Sequence, residues 1–169
     1  GVTSVKFPST LKTIGKFAFS GCTGLTGEVV FPEGVTSIGR EAFHNCAGIT
    51  GAQFPSTLTT IGQQAFDNTG LTALELPASV TSIDYGAFQK TKIKTLNLPD
   101  GLNITASSVF QECTELTEIS VGGDVTGNGA FGDCTALTTV TVREGATSIG
   151  SRAFSGCTAL TTVNLPKSL

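Results

Sequence analysis

Apolar residues in this chain return at a fixed interval. Phe19, Phe43, Phe66, Phe88, Phe110, Phe131 and Phe154 are separated by 24, 23, 22, 22, 21 and 23 residues, and each follows Ala except Phe110, which follows Val109. Self-similarity at such a period marks a repeat architecture. After each Phe, Leu25, Ile49, Leu71, Ile93, Leu116, Leu137 and Leu160 open a segment in which apolar and polar residues alternate, mostly closed by Pro. In Leu71-Thr-Ala-Leu-Glu-Leu-Pro77 the period of two sets Leu74 and Leu76 on one face and Ala73 and Glu75 on the other. That copy and its equivalents are therefore predicted to be half-buried strands, ended by a Pro that cannot donate to a ladder. A second β-prone run such as Val35-Thr-Ser-Ile38 precedes Gly, and the Ile-Gly pair recurs at Ile14-Gly15, Ile38-Gly39, Ile61-Gly62 and Ile149-Gly150, with Ile83-Asp84 a near match. The Ala-Phe-x-x-Cys step fits one short helical or 3-10 turn; a full helix does not fit in the span.

One coil cannot fold alone. It offers about six inward apolar side chains at roughly 1.5–3 kcal/mol each, while ordering some 22 residues costs on the order of 30 kcal/mol. Stacking buries both faces of every apolar layer. The predicted fold is an α/β, strand-dominated repeat solenoid: a right-handed stack of about seven coils plus a leading strand. Its concave side would be one parallel sheet roughly 34 Å long, with second short strands and short helical or 3-10 turns on the convex side. Residues 1–169 read as a single solenoid domain cut in mid-repeat at both ends, because Val2–Pro8 supplies only a strand and Pro166–Leu169 only the start of a coil, and neither carries a polar cap. Two repeats are degenerate. Thr105-Ala106 sits where Ile-Gly belongs, Gly122 replaces Pro, and the Gly122–Gly129 stretch is about two residues short before Ala130-Phe131. Tolerated drift is the favoured account, and a bend or binding loop the alternative.

Composition narrows the partners. With 39% hydrophobic and 14% charged residues the chain is not a disordered polar segment. A net charge of −3 and a pI of 5.0 leave no excess of Lys and Arg for nucleic acid or an anionic membrane surface. No run approaches the roughly 18 apolar residues that cross a bilayer, so no membrane insertion by this segment is expected.

The pattern Pro-x-x-Val/Leu-Thr-x-Ile-Gly-x-x-Ala-Phe-x-x-Cys-x-x-Leu-Thr-x-Leu-x-Leu-Pro resembles the treponemal-type, BspA-like leucine-rich repeat over essentially the whole chain. The resemblance implies a leucine-rich-repeat solenoid from a cell-surface or secreted protein, several relatives of which adhere to host proteins or other cells. It implies no cofactor and no conserved catalytic residue.

Cys22, Cys46, Cys113, Cys134 and Cys157 share one repeat position; the third and fourth copies lack Cys, and Thr91 takes that place in the fourth. Stacked thiols would have Cβ atoms near 4.8 Å apart, beyond the roughly 3.5–4.5 Å of a disulfide, so buried free thiols are expected. No Cys-x-x-Cys spacing suggests zinc. His44, the only histidine, falls where other copies carry Ser20, Asp67, Gln89, Gln111, Gly132 and Ser155, and no nucleophile and base recur with it. Thr26, Thr50, Thr72, Thr117, Thr138 and Thr161, with Thr36, Thr59, Thr81, Thr126 and Thr147, form two ladders that β-propensity and local hydrogen bonding explain. Lys90, Lys92 and Lys94 make a small basic cluster of the kind found on solvated faces, and Asn103-Ile104-Thr105 matches a glycosylation acceptor.

Outward strand positions form the candidate surface. Its contact residues are Glu28, Gln53, Glu75, Thr95, Asn97, Glu118, Ser120, Thr139, Thr141, Thr162 and Asn164. They vary while the inward positions do not, and they lack the Tyr, Trp and Arg of typical hot spots. The expected function is a non-enzymatic protein-binding or adhesion module, its partner a host matrix protein or another cell-surface protein, with no small-molecule substrate or metal. The alternatives are a structural spacer and an accessory domain of an enzyme whose site lies elsewhere.

Overall fold

The computed structural model describes residues 1–169, and its ten strands are all parallel to their neighbours. Short strands β1 (Thr13–Ile14), β3 (Ser37–Ile38), β5 (Thr60–Ile61) and β6 (Ser82–Ile83) form one side in the order β1-β3-β5-β6. Longer strands follow each Cys position: β2 (Gly27–Val30) pairs with β4 (Ile49–Gln53), and β7 (Thr95–Asp100), β8 (Glu118–Gly122), β9 (Thr139–Val142) and β10 (Thr162–Asn164) form a second ladder. Corners between the two sides are β-turns. The carbonyls of Pro8, Pro32, Pro55, Pro77 and Pro99 each accept the N–H three residues on.

No helix occupies the convex side, contrary to the short helical turn expected there. Each coil instead places two left-handed residues around its Phe, two before and two after. The first set is Phe17, Glu41, Gln64, Gly86, Ser108, Gly129 and Arg152, the second Gly21, Asn45, Asn68, Lys90, Glu112, Asp133 and Gly156, all with φ between 51° and 77°. A right-handed helix cannot contain them. The reason lies between coils. N–H groups at these positions and at the Phe donate to the next coil, as Phe17, Phe19 and Gly21 do to the carbonyls of Arg40, Ala42 and His44 at 2.7–2.8 Å. Interstrand-type bonding thus overrides the local preference of ten non-glycine residues.

One cluster of 40 buried residues runs through the stack. At its centre the Phe rings from Phe19 to Phe154 lie 5.1–5.6 Å apart and within 17° of parallel. Phe7, Phe31 and Phe54 build a shorter second column at 5.5–5.6 Å that meets the first edge-on, for example Phe31 to Phe43 at 82°. Both are favoured ring geometries.

Long strands do not form the continuous sheet expected. Leu71–Pro77, predicted from its alternation to be a strand, joins neither ladder, and its hydrogen bonds to the neighbouring coils are those of Thr72: its N–H and Oγ1 donate to the Thr50 carbonyl, and its carbonyl accepts Lys94 N–H. Toward β4, the pairs that would close the gap are Gly51 with Ala73 and Ala52 with Leu74, three of them side chains too small to hold a ladder by cross-strand contact.

The degenerate repeats cut a corner. Ile38, Ile61 and Ile83 stand six residues after Pro32, Pro55 and Pro77, whereas Val125 stands three after Gly122 and bridges Ile104 and Ile149. Ile104, and not Thr105, therefore takes the Ile place. The missing turn removes a carbonyl that other coils use: Thr59 and Thr60 donate to the Thr36 carbonyl, and Thr81 and Ser82 to that of Thr59. In the sixth coil the Asp124 carboxylate replaces it, accepting Thr147 N–H at 2.6 Å and Ser148 N–H at 3.0 Å. These N–H groups hold the Asp124 carboxyl below the usual carboxylate range. A depressed folded pKa gives stability that is complete above the unfolded value and lost as pH falls through the folded one. Asp124→Asn is expected to melt lower than the parent at neutral pH and to show a flatter acid limb, measured by thermal unfolding down to about pH 2. Equal melting at neutral pH would count against this role.

Candidate functional site

Strand register determines which side chains share the long-strand face. Thr95, Glu118, Thr139 and Thr162 stand in one outward column, and Asn97, Ser120, Thr141 and Asn164 in the next, while inward Leu96, Ile119, Val140 and Val163 alternate with them. In the first ladder Glu28 pairs with Gly51 and Val30 with Gln53, after a bulge at Gly27 that absorbs one extra residue. All eleven candidate contact residues point away from the core; Ser120, Thr139 and Thr141 are half-buried and the others exposed. Two pairs are joined across coils, Gln53 Nε2 to Glu28 Oε2 at 2.8 Å and Asn164 Nδ2 to Thr141 Oγ1 at 3.3 Å.

Arg143 is the residue that sequence patterns did not single out. It replaces the strand-closing Pro of the sixth coil and reaches back across two coils. Its Nε donates to Asp100 Oδ1 at 2.9 Å, Nη1 to Asn97 Oδ1 at 2.7 Å and to Ser120 Oγ, and Nη2 to the Leu98 carbonyl and Asp100. The path lies over Gly122, where a Cβ would stand 2.6 Å from Nη2. The two departures from Pro, Gly122 and Arg143, are thus one device that ties three strands of the outward face. Their joint appearance in neighbouring repeats was the available signal. Beside the clamp runs an open groove of about 1000 Å³, lined by Ala73–Leu76, Thr95, Asn97, Asp100, Ser120 and Arg143 among others.

Other chemistry-bearing residues serve the stack. The thiols of Cys46, Cys113, Cys134 and Cys157 donate to the carbonyls of Phe19, Phe88, Phe110 and Phe131, the Phe of the preceding coil, at 3.0–3.3 Å. Thr69 and Thr91, both buried, fill the same column and donate to Phe66 and Phe88 carbonyls. Thr69, which stands three residues after its Phe as Thr91 and every Cys do, had no assigned role in the sequence pattern although that shared offset was the signal for it. Burial pushes the Cys46 thiol up, and hydrogen bonding to Cys113 and Cys157 together with burial does the same for Cys134, so both stay protonated and weakly nucleophilic. The Thr ladders bond between coils too, as Thr59 Oγ1 does to the Thr36 carbonyl and Thr138 Oγ1 to that of Thr117, each at 3.0 Å.

His44 lies on the convex side, half-buried, with Nδ1 3.0 Å from Asp67 Oδ2 and Nε2 2.8 Å from Asn45 Nδ2. Burial raises the Asp67 carboxyl above its usual range, against the opposing pull of His44 and Lys90. No serine or cysteine hydrogen-bonds to the imidazole, and no group of three or more His, Cys, Asp or Glu side chains stands close enough for a metal ion. Lys90 faces Glu112 at 3.9 Å on the convex side, apart from the outward columns, and no helix is long and apolar enough to cross a membrane.

A stack of parallel coils with a uniform apolar interior and a variable polar outer column is a repeat scaffold of the leucine-rich class. The chain belongs to the BspA-type leucine-rich repeat family, whose model, a region of six copies, matches residues 1–117 and again 103–169. Among solved structures it is similar to a leucine-rich repeat protein from Bacteroides ovatus ATCC 8483, at 24% identity and a TM-score of 0.84, over 99% of this chain and 50% of that one. The T. pallidum leucine-rich repeat protein gives 25% and 0.81 over 94% of this chain and 78% of that one. The pneumococcal vaccine antigen PcpA gives 20% and 0.67 over 99% and 51%. This chain thus spans about half the length of two of these three proteins. No curated protein sequence matches it. Family and fold are those of repeat proteins that are typically non-enzymatic and that mediate protein–protein interactions.

Proposed function

We propose that this domain is a non-enzymatic protein-recognition module of a cell-surface or secreted leucine-rich repeat protein, reading its partner with the outward columns of the long-strand face. The observation that carries this reading is the Arg143 clamp, which holds Asn97, Asp100 and Ser120 in fixed positions beside an open groove. Preordered polar groups lose less freedom on binding than mobile ones, which favours recognition. A host matrix protein or another cell-surface protein is the class of partner, and adhesion the outcome. Contacts are shared among coils, so affinity rises with the number engaged.

Surface plasmon resonance of the 169-residue chain over immobilised host matrix proteins tests this. Binding is expected, weakened at least about tenfold by Glu118→Lys combined with Asn164→Ala, with the melting temperature kept. A chain that binds none of them, or binds unchanged after these substitutions, would support a spacer that only displays other domains.

A further inference from the structure

The convex side carries a pair of titratable groups that the outward columns do not use. At the position after each Phe the coils hold Ser20, His44, Asp67, Gln89, Gln111, Gly132 and Ser155, so the two that can ionise stand in adjacent coils. Asp67 is only 4% exposed. His44 Nδ1 lies 3.0 Å from Asp67 Oδ2, yet neither Nδ1 nor Asp67 Oδ1, both buried, has a hydrogen-bond partner. Gln64 Nε2 donates to Oδ2 at 3.3 Å. Unpartnered polar atoms in a buried place cost stability, and neutral Gln or Ser fills the same position elsewhere in the stack.

Hydrogen-bond roles fix the charge of the ring. Asn45 Nδ2 can only donate, so His44 Nε2, 2.8 Å away, accepts, and the imidazole is neutral with its hydrogen on Nδ1. Asn68 Nδ2 donates in turn to Asn45 Oδ1 at 2.7 Å. The chain therefore runs one way, from Asn68 through Asn45 to His44, and ties coil two to coil three. A second proton on the ring makes Nε2 a donor. Asn45 must then turn its amide to offer Oδ1, and Asn68 must turn its own to meet the Nδ2 that Asn45 now presents. Both asparagines are exposed, so the reversed chain ends in water with no group stranded. Nδ1, out of line for a hydrogen bond, attracts the Asp67 carboxylate once the ring is charged, because Coulomb attraction depends on distance alone.

The surrounding charges are mostly engaged. Arg40 pairs with Glu41 at 2.9 Å, Lys90 faces Glu112 at 3.9 Å while also pulling on Asp67, and Asp84 Oδ1 accepts Tyr85 N–H at 2.7 Å. Coil one brings only Lys16 to this corner.

We propose that His44, Asp67, Asn45 and Asn68 form a proton-operated latch between coils two and three, in which one proton taken up at His44 Nε2 creates an ion pair with Asp67 and reverses both asparagine amides. The latch holds these coils more tightly in mildly acidic than in neutral solution. Burial raises the Asp67 carboxyl, so its charged form costs the fold stability above the folded value, and the imidazolium offsets that cost.

Side-chain amide NMR and thermal unfolding test this. The Asn45 and Asn68 amide resonances are expected to move together with those of the His44 ring between about pH 8 and 5, the range in which imidazoles titrate. His44→Gln, a side chain that coils four and five carry at this place, should melt like the parent near about pH 8 and lower by about 2–4 °C near about pH 5.5. In an Asp67→Asn background the same change should make no pH-dependent difference, since the charge it would pair with is gone. Asparagine amides that stay still while the His44 ring titrates would overturn the proposal, as would the same gap in melting temperature between parent and His44→Gln at both pH values, or a pH-dependent gap that persists without Asp67.

Discussion

Phe88→Ala is expected to cost about 3–5 kcal/mol in urea-induced unfolding, the range for emptying a fully packed aromatic site. Phe88 is fully buried, its ring parallel within 3° to Phe66 and within 6° to Phe110. The substitution removes apolar area and two ring contacts, the latter worth about 0.5–1.5 kcal/mol beyond the area. Neighbours cannot collapse into the space, because backbone bonds from Phe66 to Ala87 and from Phe88 to Val109 fix the coil spacing. Coil stability is a sum of nearest-neighbour interfaces, and a central coil contributes to two, so a native state worth about 5–15 kcal/mol would lose a large share of its margin. Phe17→Ala is the comparison. Phe17 is 50% exposed, with the Arg40 guanidinium 5.6 Å from its ring, and its loss should cost no more than about 1 kcal/mol. Equal losses at the two positions would show that the Phe column does not carry the stack.

Gly127→Ala should be the most disruptive change of a single methyl group. A Cβ there would overlap the Ala106 carbonyl oxygen and stand 2.7 Å from its carbon, and both atoms belong to the backbone of the neighbouring coil. Relief requires the cut corner to move, breaking Gly127 N–H to the Ile104 carbonyl and Ile104 N–H to that of Asp124, both 2.8 Å. A destabilisation of about 1–3 kcal/mol follows from overpacking, with faster amide exchange through Gly122–Gly129. Gly15→Ala is the control, since nothing lies within 4 Å of its Cβ position and its φ is not left-handed. There the change should be neutral or stabilising by up to about 1 kcal/mol, through the unfolded chain. Matching effects at Gly15 and Gly127 would remove the close-approach explanation.

For the Gly-rich stretch the sequence offered tolerated drift, with a bend or a binding loop as the alternative. It is a shortened corner whose glycines make room for adjacent backbone and whose Asp124 carboxylate accepts the Thr147 and Ser148 N–H groups in place of a backbone carbonyl. Repeat spacing could reveal that residues were missing; it could not reveal which hydrogen-bond donors in the next coil were left over. The same limit hid Arg143. A Pro-to-Arg change reads as a loss of pattern until Gly122 is seen beneath the guanidinium and Asp100 at its end.

What the sequence determined by itself is the repeat: its period, the inward columns of Phe, Ile, Leu and Cys, the outward columns and the stacked parallel arrangement. Periodicity encodes these directly, since each depends on a residue's place within one coil. Only the tertiary structure decided the left-handed turns around each Phe, the Asp124 substitution, the Arg143 clamp and the break between the long-strand ladders at Leu71–Pro77. Each of these depends on how the donors, acceptors and side-chain volumes of one coil meet those of its neighbours. Leu71–Pro77 makes the distinction plain: its alternation predicts a strand, yet a strand is completed by its partners, and Gly51, Ala52 and Ala73 offer too little side chain to hold it.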